Sequence, residues 1–282
     1  MLLHTILYIL AISASLAFIF PFLWTLSSSL KNHNEIFIYP PTLFPQRALW
    51  GNYARVFEMH PVARWISNSV TVTGLSLIGV ICSASLVAYG FSKFRFPGRD
   101  ALFMLTLSTM MLPAAVTLIP QYLIFHRVGW LDTFLPLIVP AYFGGGAFNI
   151  FLLRQFFMTI PNDLIDASTI DGASSLRILV SVMMPLSKPA LATVAVVFVL
   201  WSWNQFIEPL IYLSTPSRFT MAIGIKYFER AGPGGSGAAA YGTPIEHLLL
   251  ACSVIMTAPV VLLFFAAQRY FVQGVVMSGI KG

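Results

Sequence analysis

Charged residues are scarce in this 282-residue chain. Asp, Glu, Lys and Arg together make up 9% of it, whereas hydrophobic residues make up 57%. About one-quarter of an ordinary soluble domain is charged, so the composition excludes that class of protein. The net charge of +6 comes from basic residues scattered along the chain, whereas nucleic-acid binding would need a basic stripe on one face. The composition therefore indicates a membrane protein. We expect the lipid bilayer to be a partner of this chain, and we expect no nucleic acid.

Motifs for catalysis and nucleotide binding are also missing. The sequence contains no G-x-x-x-x-G-K-[ST] loop, no H-E-x-x-H and no G-x-S-x-G. The five histidines are dispersed, and the two cysteines, Cys82 and Cys252, lie in separate apolar segments without neighbouring ligands. We therefore expect no catalytic residue, no metal site and no cofactor in this chain.

Six apolar runs are long enough to cross a bilayer as helices, which takes about 20 residues each. They cover residues 3–24, 66–91, 101–123, 135–157, 190–213 and 245–267. The first run lacks the basic start and the cleavage site of a signal peptide, so we interpret it as a span. The predicted fold class is all-α, a polytopic membrane protein with six transmembrane helices in one domain over residues 1–282.

Lys and Arg normally mark the cytoplasmic side of such a protein. Six spans place both termini on one side, with the loops after the second and fourth spans. The rule does not decide the orientation here, because each side carries eight of the 16 basic residues. Only the dense basic group at residues 93–99, in a very short loop, favours cytoplasmic termini. The segments 31–65 and 214–243 then become external loops.

The longest polar passage between two apolar segments is the loop 159–189, and it contains helix signals. Asn162 is a good N-cap, and two aspartates follow it in the first turn, where the helix dipole favours carboxylates. Gly172 can end this helix in a left-handed conformation, and Ser174 can cap a second helix. A short helix with an acidic tip and small residues is expected to dock another protein.

The order of residues in this loop resembles the EAA loop of ABC importer permeases, in which E-A-A-x-x-D-G-A is followed by I-x-L-P. Asp, Ser, Val and Met replace the usual Glu, second Ala, Ile and Leu here. The resemblance implies a cytoplasmic loop that couples the permease to an ATPase. The residues to which it assigns this role are Asp163, Asp166, Ala167, Ser168, Asp171, Gly172, Ala173 and Pro185.

Other segments are similar to carbohydrate permeases of the smaller maltose-subunit type. These segments are residues 35–41, 52–57, 64–69, 203–210 and 268–282. The resemblance implies the type I ABC importer permease fold in a bacterial or archaeal cytoplasmic (inner) membrane, with a sugar or related polyol as substrate. It also implies partners: a second homologous permease subunit in a heterodimer, two ATPase subunits that bind ATP and Mg, and an extracytoplasmic solute-binding protein.

Polar residues within spans are candidates for a substrate pathway, since they are costly in a bilayer. The candidates are Asn149, Trp203, Asn204, Gln205 and Glu208. Amides can bind a sugar or join helices, and Glu208 either faces the pathway or is solvated at the external interface. The resemblance further implies that the loop 214–243 approaches the solute-binding protein, with Arg218, Lys226 and Arg230 as contacts.

Helix-breaking residues interrupt the third and fourth spans. They are Pro113, Pro120, Pro136, Pro140 and the glycines at 144–146. In a bilayer such residues are tolerated where a cavity or neighbouring helices satisfy the backbone, and glycines also allow close helix packing. Both interpretations stay open, and we favour packing.

Two alternatives to the sugar importer remain. A glycerol-phosphate substrate in the same architecture would need Arg or Lys in the pathway, and no basic residue lies clearly within a span. An ion-coupled secondary transporter would use Glu208 and the Glu246-His247 pair. Such transporters usually contain internal repeats, and the sequence has no convincing one.

Overall fold

The computed structural model of this chain describes residues 2–231 and 245–279, with side chains described at 4–230 and 245–268. Every regular element within these ranges is helical, which confirms the predicted all-α class. The α-helices are α1 (Leu2–Ser29), α2 (His33–Ile36), α3 (Gly51–Met59), α4 (Val62–Lys93), α5 (Arg99–Ser108), α6 (Ala114–Arg127), α7 (Leu135–Ile138), α8 (Ala147–Thr159), α9 (Asp163–Ile170), α10 (Ser175–Ile178), α11 (Met184–Leu186), α12 (Lys188–Asn204), α13 (Ile207–Tyr212), α14 (Met221–Ala231) and α15 (Glu246–Gly279).

Among the described residues, four helical segments are long and apolar enough to cross a membrane. They are His4–Ser29, Val62–Lys93, Leu135–Thr159 and Glu246–Gln268. Two further pairs of helices pass the same test together but are bent, by 98° between α5 and α6 and by 82° between α11 and α12. The part of the chain that the structure describes thus has six candidate spans if each bent pair is one span.

The first bend has a cause that the sequence shows. Leu112 is extended (φ −77°, ψ 119°), and Pro113 follows it as the N-cap of α6. A proline disfavours helical backbone at the residue before it and offers no N–H to continue a helix. The predicted third span, 101–123, is therefore bent near its middle.

The predicted fifth span, 190–213, is not one continuous helix. Gln205 is extended (φ −62°, ψ 124°) between α12 and α13. In a continuous helix the carbonyl of Gln205 would accept a bond from residue 209, but Pro209 has no N–H and its ring would clash with that carbonyl. The helix therefore stops at Asn204 and begins again at Ile207.

The described residues divide into two compact units, drawn from Met1–Ile66 with Met221–Pro259 and from Ser67–Thr220 with Val260–Gly282. We call them the first and the second unit. The assignment of residues 1–282 to a single permease domain stays a prediction.

An aromatic cluster packs α14 against the start of α4 in the first unit. The His60 ring lies 5.8 Å from the Trp65 ring and 4.6 Å from the Phe228 ring, between centroids. A Cβ atom on Gly224 would lie 2.3 Å from Cε3 of Trp65, so only glycine allows this approach. The predicted external loop 214–243 thus contains a packed helix, and its part from 232 to 243 lies outside the described residues.

The aromatic segment from Trp50 to Trp65 is not one continuous helix. α3 ends at Met59, and His60 is extended (φ −142°, ψ 155°). Pro61 follows His60 and again disfavours helical backbone before it. The aromatic segment is therefore a short helix, a corner and the first turn of α4.

The core of the second unit is built from α4, α5, α8, the π-helical turn Leu179–Met183 and α12. Its buried residues include Ala84, Phe103, Leu153, Phe157, Met183 and Val194. Small residues let the chain between α7 and α8 pack closely on α4. A Cβ on Gly79 would lie 2.6 Å from the Tyr142 ring, and one on Gly145 (φ +61°) would lie 3.0 Å from the backbone of Val80. The packing role favoured for the glycines at 144–146 is therefore seen at Gly145.

Candidate functional site

The segment that resembles the EAA loop forms a short exposed helix, α9. Asp163 and Asp166 lie in its first turn, as predicted. Gly172 adopts the left-handed conformation (φ +79°) expected where the helix ends. Ile170 at the last helical position is 86% exposed. The helix therefore presents acidic and apolar atoms that nothing in the described part of this chain covers.

The side chain of Asn162 does not cap α9, contrary to expectation. Its Oδ1 instead accepts a hydrogen bond from Nζ of Lys93, at 2.9 Å, and the same amine donates to the carbonyl oxygen of Ile160, at 2.6 Å. The backbone of Asn162 is helical (φ −68°, ψ −28°), whereas a capping residue normally has extended backbone, so the cap is lost. Lys93 is the last residue of α4, so the end of that helix holds the chain just before α9.

The other side of α9 is fixed to the core. Ile165 and Ala173 pack against the hydrophobic core of the second unit. Ser174 caps α10 as predicted, because its hydroxyl accepts a hydrogen bond from the N–H of Arg177, at 3.4 Å. The segment is thus anchored at both ends and on one face, while its acidic tip is free to contact another chain.

The second unit also contains a partly open cavity of about 300 Å³, near the lower end of the range for small-molecule sites, about 300–1,000 Å³. It lies among α4, α6, α7, α12 and α13, and its walls are mainly apolar with a few polar groups. The lining residues are Val80, Ala114, Thr117, Leu118, Gln121, Pro136, Leu137, Pro140, Ala141, Gly145, Gly146, Phe198, Trp201, Ser202, Gln205, Glu208 and Tyr212.

Two of the five predicted pathway residues, Gln205 and Glu208, line this cavity. The break between α12 and α13 brings both to the same wall. Two other lining residues, Trp201 and Tyr212, were not predicted. Trp201 lies four positions before Gln205, and Tyr212 lies four positions after Glu208. That spacing is one helical face and could have identified them.

The remaining predicted pathway residues have other roles in this structure. Asn149 donates a hydrogen bond to the carbonyl of Gly145 at 2.6 Å, and Asn204 donates to that of Leu200 at 2.8 Å. Trp203 is buried and does not line the cavity. The two amides therefore bind the backbone of the preceding turn, and neither of these bonds joins one helix to another.

The polar groups of the cavity are poorly satisfied within the chain. The carboxylate of Glu208 makes no ion pair with any residue in the described ranges. The hydroxyl of Tyr212 is buried and has no hydrogen-bond partner there. The carboxamides of Gln121 and Gln205 line the same space. Buried polar groups are normally hydrogen-bonded, so the Tyr212 hydroxyl indicates a site for water or a polar ligand, beside the more accessible side chains of Gln121, Gln205 and Glu208.

Two of the three cations predicted to contact a binding protein are paired locally. Arg218 lies 3.1 Å from the carboxylate of Asp132, and Lys226 forms an ion pair with Glu229. Arg230 is exposed. Contact of these residues with a binding protein stays a prediction.

Asp132 joins the chain after α6 to the chain after α13. Its carboxylate accepts hydrogen bonds from the N–H groups of Ser214 and Thr215, at 3.0 Å each, and from the Thr215 hydroxyl. Burial alone would raise the pKa of Asp132. These hydrogen bonds and the positive charge of Arg218 outweigh that effect and lower the pKa to about 2. The carboxylate therefore stays ionised and ties two elements of the cavity wall together at one end.

The polar start of α15 lies in the first unit. Oε2 of Glu246 lies 2.9 Å from Nδ1 of His33, at the start of α2. His247 is buried. This contact joins the start of α2 to the start of α15. Glu246 therefore lies beside His33, whereas the sequence suggested a pair with His247.

The chain matches one protein family over most of its length. A family model described as binding-protein-dependent transport system inner membrane component matches residues 58–277. The chain is 31% identical to the sn-glycerol-3-phosphate transport system permease protein UgpE of Pectobacterium atrosepticum, over 96% of this chain and 95% of that protein. It is also 31% identical to the arabinooligosaccharides transport system permease protein AraQ of Halalkalibacterium halodurans, over 95% of this chain and 94% of that protein.

Solved structures support the same fold. A chain of a bacterial ABC transporter involved in the import of the acidic polysaccharide alginate superposes with a TM-score of 0.84 at 24% identity, covering 96% of both chains. A second structure, of a bacterial alginate ABC transporter with an alginate pentasaccharide-bound periplasmic protein, gives a TM-score of 0.64 at 15% identity, over 94% of this chain and 93% of that chain. At these identities the likeness establishes the type I ABC importer permease fold.

Proposed function

This chain belongs to the family of binding-protein-dependent transport system inner membrane components, and from that premise we propose that it moves a sugar across the membrane on energy received through α9. It would act with a second permease subunit, two ATPase subunits and an extracytoplasmic solute-binding protein. ATP and Mg would bind to the ATPase partners. The family membership leaves no support for an ion-coupled secondary transporter.

The observation that carries this proposal is the direct connection between α9 and the cavity. α8 begins next to Gly146, a lining residue, and ends three residues before α9. On the other side, the chain runs from α9 through α10 and α11 into α12, which supplies Trp201 and Ser202 to the cavity wall. A displacement of α9 would therefore act on the cavity through both of its flanking helices.

The exposed tip of α9 is where the force would enter. A partner can shift a conformational equilibrium only if it contacts the two states differently. The carboxylates of Asp163 and Asp166 stand in the first turn, where a basic residue of an ATPase could pair with them. The exposed side chains of Leu164 and Ile170 would add apolar contact area.

The composition of the cavity suits a hydroxyl-rich solute. The carboxamides of Gln121 and Gln205 and the hydroxyl of Ser202 can donate to and accept from sugar hydroxyls. Trp201 offers an aromatic face beside them. Apolar walls with a few directed polar groups are the usual design of a small-molecule site. An oligosaccharide or a related polyol is therefore the proposed substrate class, and a glycerol phosphate is the alternative.

The first test is ATP hydrolysis by the complete transporter. We expect an ATPase to co-purify with the chain and to be stimulated by the loaded solute-binding protein. Removing one member of an interfacial ion pair leaves the other charge unpaired, so Asp166→Ala should lower this stimulation by roughly tenfold or more. Glu58→Ala, which removes an exposed carboxylate from α3, is the matched control and should keep the stimulation. Normal stimulation in Asp166→Ala would remove that residue from the coupling contact.

A further inference from the structure

The cavity of the second unit contains one carboxylate and no counterion. Glu208 is among its lining residues, and no Lys, Arg or His is found in that described lining. Nor does any described basic residue form an ion pair with Glu208 elsewhere. The potential inside the cavity is therefore set by one unpaired negative charge.

The sign of this potential determines which solutes the cavity admits. Charges interact more strongly beside low-dielectric walls than in bulk water, and a cleft lined by one sign of charge concentrates ions of the opposite sign. Phosphate and carboxylate groups are normally bound by Arg or Lys, which this lining lacks. An anionic solute would thus meet repulsion from Glu208 without any compensating contact.

Neutral and cationic solutes are not repelled by Glu208 and can bind the polar groups of the cavity. The buried hydroxyl of Tyr212 has no partner in the described chain, and the Gln121 and Gln205 carboxamides line the same space. Hydroxyl groups of a carbohydrate can satisfy these donors and acceptors. An amine on such a carbohydrate would in addition pair with Glu208.

We infer that this cavity is a solute subsite for uncharged or amine-bearing carbohydrates, and that Glu208 excludes phosphorylated and carboxylated ones. The inference rests on the proposed transport function and makes its substrate class specific. The inferred solutes differ in charge from those of UgpE and of the alginate transporter, whose names specify an anionic solute.

The potential in the cavity can be measured without knowing the substrate. Trp201 lines the cavity with Glu208, so ions that enter the cavity should reach it. In the complete transporter, its fluorescence is isolated by subtracting the signal of a Trp201→Phe variant. Quenching by caesium, by iodide and by neutral acrylamide is then compared at low salt, since salt screens the effect. Each quencher is normalised to free N-acetyltryptophanamide.

Caesium should quench Trp201 at least about threefold more effectively than iodide, because each kT of potential changes a local ion concentration by about that factor. Glu208→Gln should bring the ratio close to one. Glu229→Gln, whose carboxylate pairs with Lys226 and does not line the cavity, should leave the ratio unchanged. The inference is overturned by equal quenching in the wild type, by a ratio that Glu208→Gln does not change, or by a Trp201 that acrylamide cannot reach.

Uptake into proteoliposomes tests the solute class separately. Maltotriose, a glucosamine trimer, trigalacturonate and sn-glycerol 3-phosphate are offered to the complete transporter with its solute-binding protein. ATP-driven uptake of either anion would overturn the inference and leave the proposed function standing. A transporter with no ATP-driven uptake of any solute would count against the proposed function, while the quenching ratio would still decide the sign of the potential.

Discussion

At the scale of single residues, Lys93 is the side chain that most directly positions the coupling segment. Its amine donates to the carbonyl of Ile160 and to the side chain of Asn162, immediately before α9. Lys93 ends the same helix that contributes Val80 to the cavity. It therefore links the cavity wall to the coupling helix by a route other than α8 and α12.

Replacing this amine should uncouple transport without unfolding the chain. Hydrogen bonds that involve a charged group contribute about 1.5–3 kcal/mol, so Lys93→Met should lower binding-protein-stimulated ATP hydrolysis by roughly tenfold. Co-purification of the ATPase should change little, and the thermal midpoint of the complex should fall by only a few degrees. Lys93→Arg should restore part of the stimulation, since it can still donate to both oxygens.

Lys188→Met serves as the control for this prediction. Lys188 is an exposed cation at the start of α12, and its removal should not affect stimulation. Loss of stimulation in both variants, or no rescue by arginine, would mean that the Lys93 contacts do not position α9.

Single residues also show where sequence reasoning succeeds and where it stops. Asp163, Gly172 and Ser174 occupy the helix positions predicted for them, because first-turn acids, left-handed glycines and serine caps depend on neighbours within four residues. The predicted cap by Asn162 was wrong. The side chain of Asn162 instead binds Lys93, which is 69 positions away in the sequence. No local pattern contains that contact.

At the scale of elements, glycines determine which helices can approach closely. Gly224 on α14 faces Trp65, which is fully buried and cannot move aside. Gly74 on α4 has no atom within 4 Å of the position that its Cβ would take. The two positions therefore differ in steric surroundings, although both lie within helices.

Gly224→Ala should destabilise the chain and Gly74→Ala should not. Overpacking a filled core costs about 1–3 kcal/mol, whereas alanine in a helix gains up to about 1 kcal/mol over glycine. Thermal unfolding of the purified complex, followed by size-exclusion fluorescence, should show a lower midpoint for Gly224→Ala only. Equal midpoints for the two variants would contradict the close contact with Trp65.

The breaks between helices were the least predictable elements. Pro209 was visible in the sequence, yet the apolar run 190–213 appears continuous by composition. Hydropathy measures length and polarity, whereas a break depends on which carbonyl faces the proline ring. The cavity depends on that break, because it brings Gln205 and Glu208 to one wall. Only two of the five predicted pathway residues therefore line the cavity.

At the scale of the whole molecule, the distribution of Lys and Arg does not indicate the orientation in the membrane. The orientation is therefore inferred from the proposed function. If α9 contacts an ATPase, the coupling end of the second unit is cytoplasmic. The Lys93 contact to Asn162 places the loop after α4 at that same end. Asp132 and Ser214 are joined at 3.0 Å, and the candidate span Leu135–Thr159 separates Asp132 from Asn162.

Cysteine labelling in a variant that lacks Cys82 and Cys252 tests this arrangement. One span between the two ends predicts opposite sides of the membrane. With a membrane-impermeant maleimide, Ser214→Cys should react in intact spheroplasts, whereas Arg95→Cys should react only after permeabilisation; both side chains are exposed. The parent without cysteine should show no labelling. Reaction of both positions in intact cells would make Leu135–Thr159 a re-entrant segment, and the reverse pattern would place α9 outside the cell, where no ATPase could reach it.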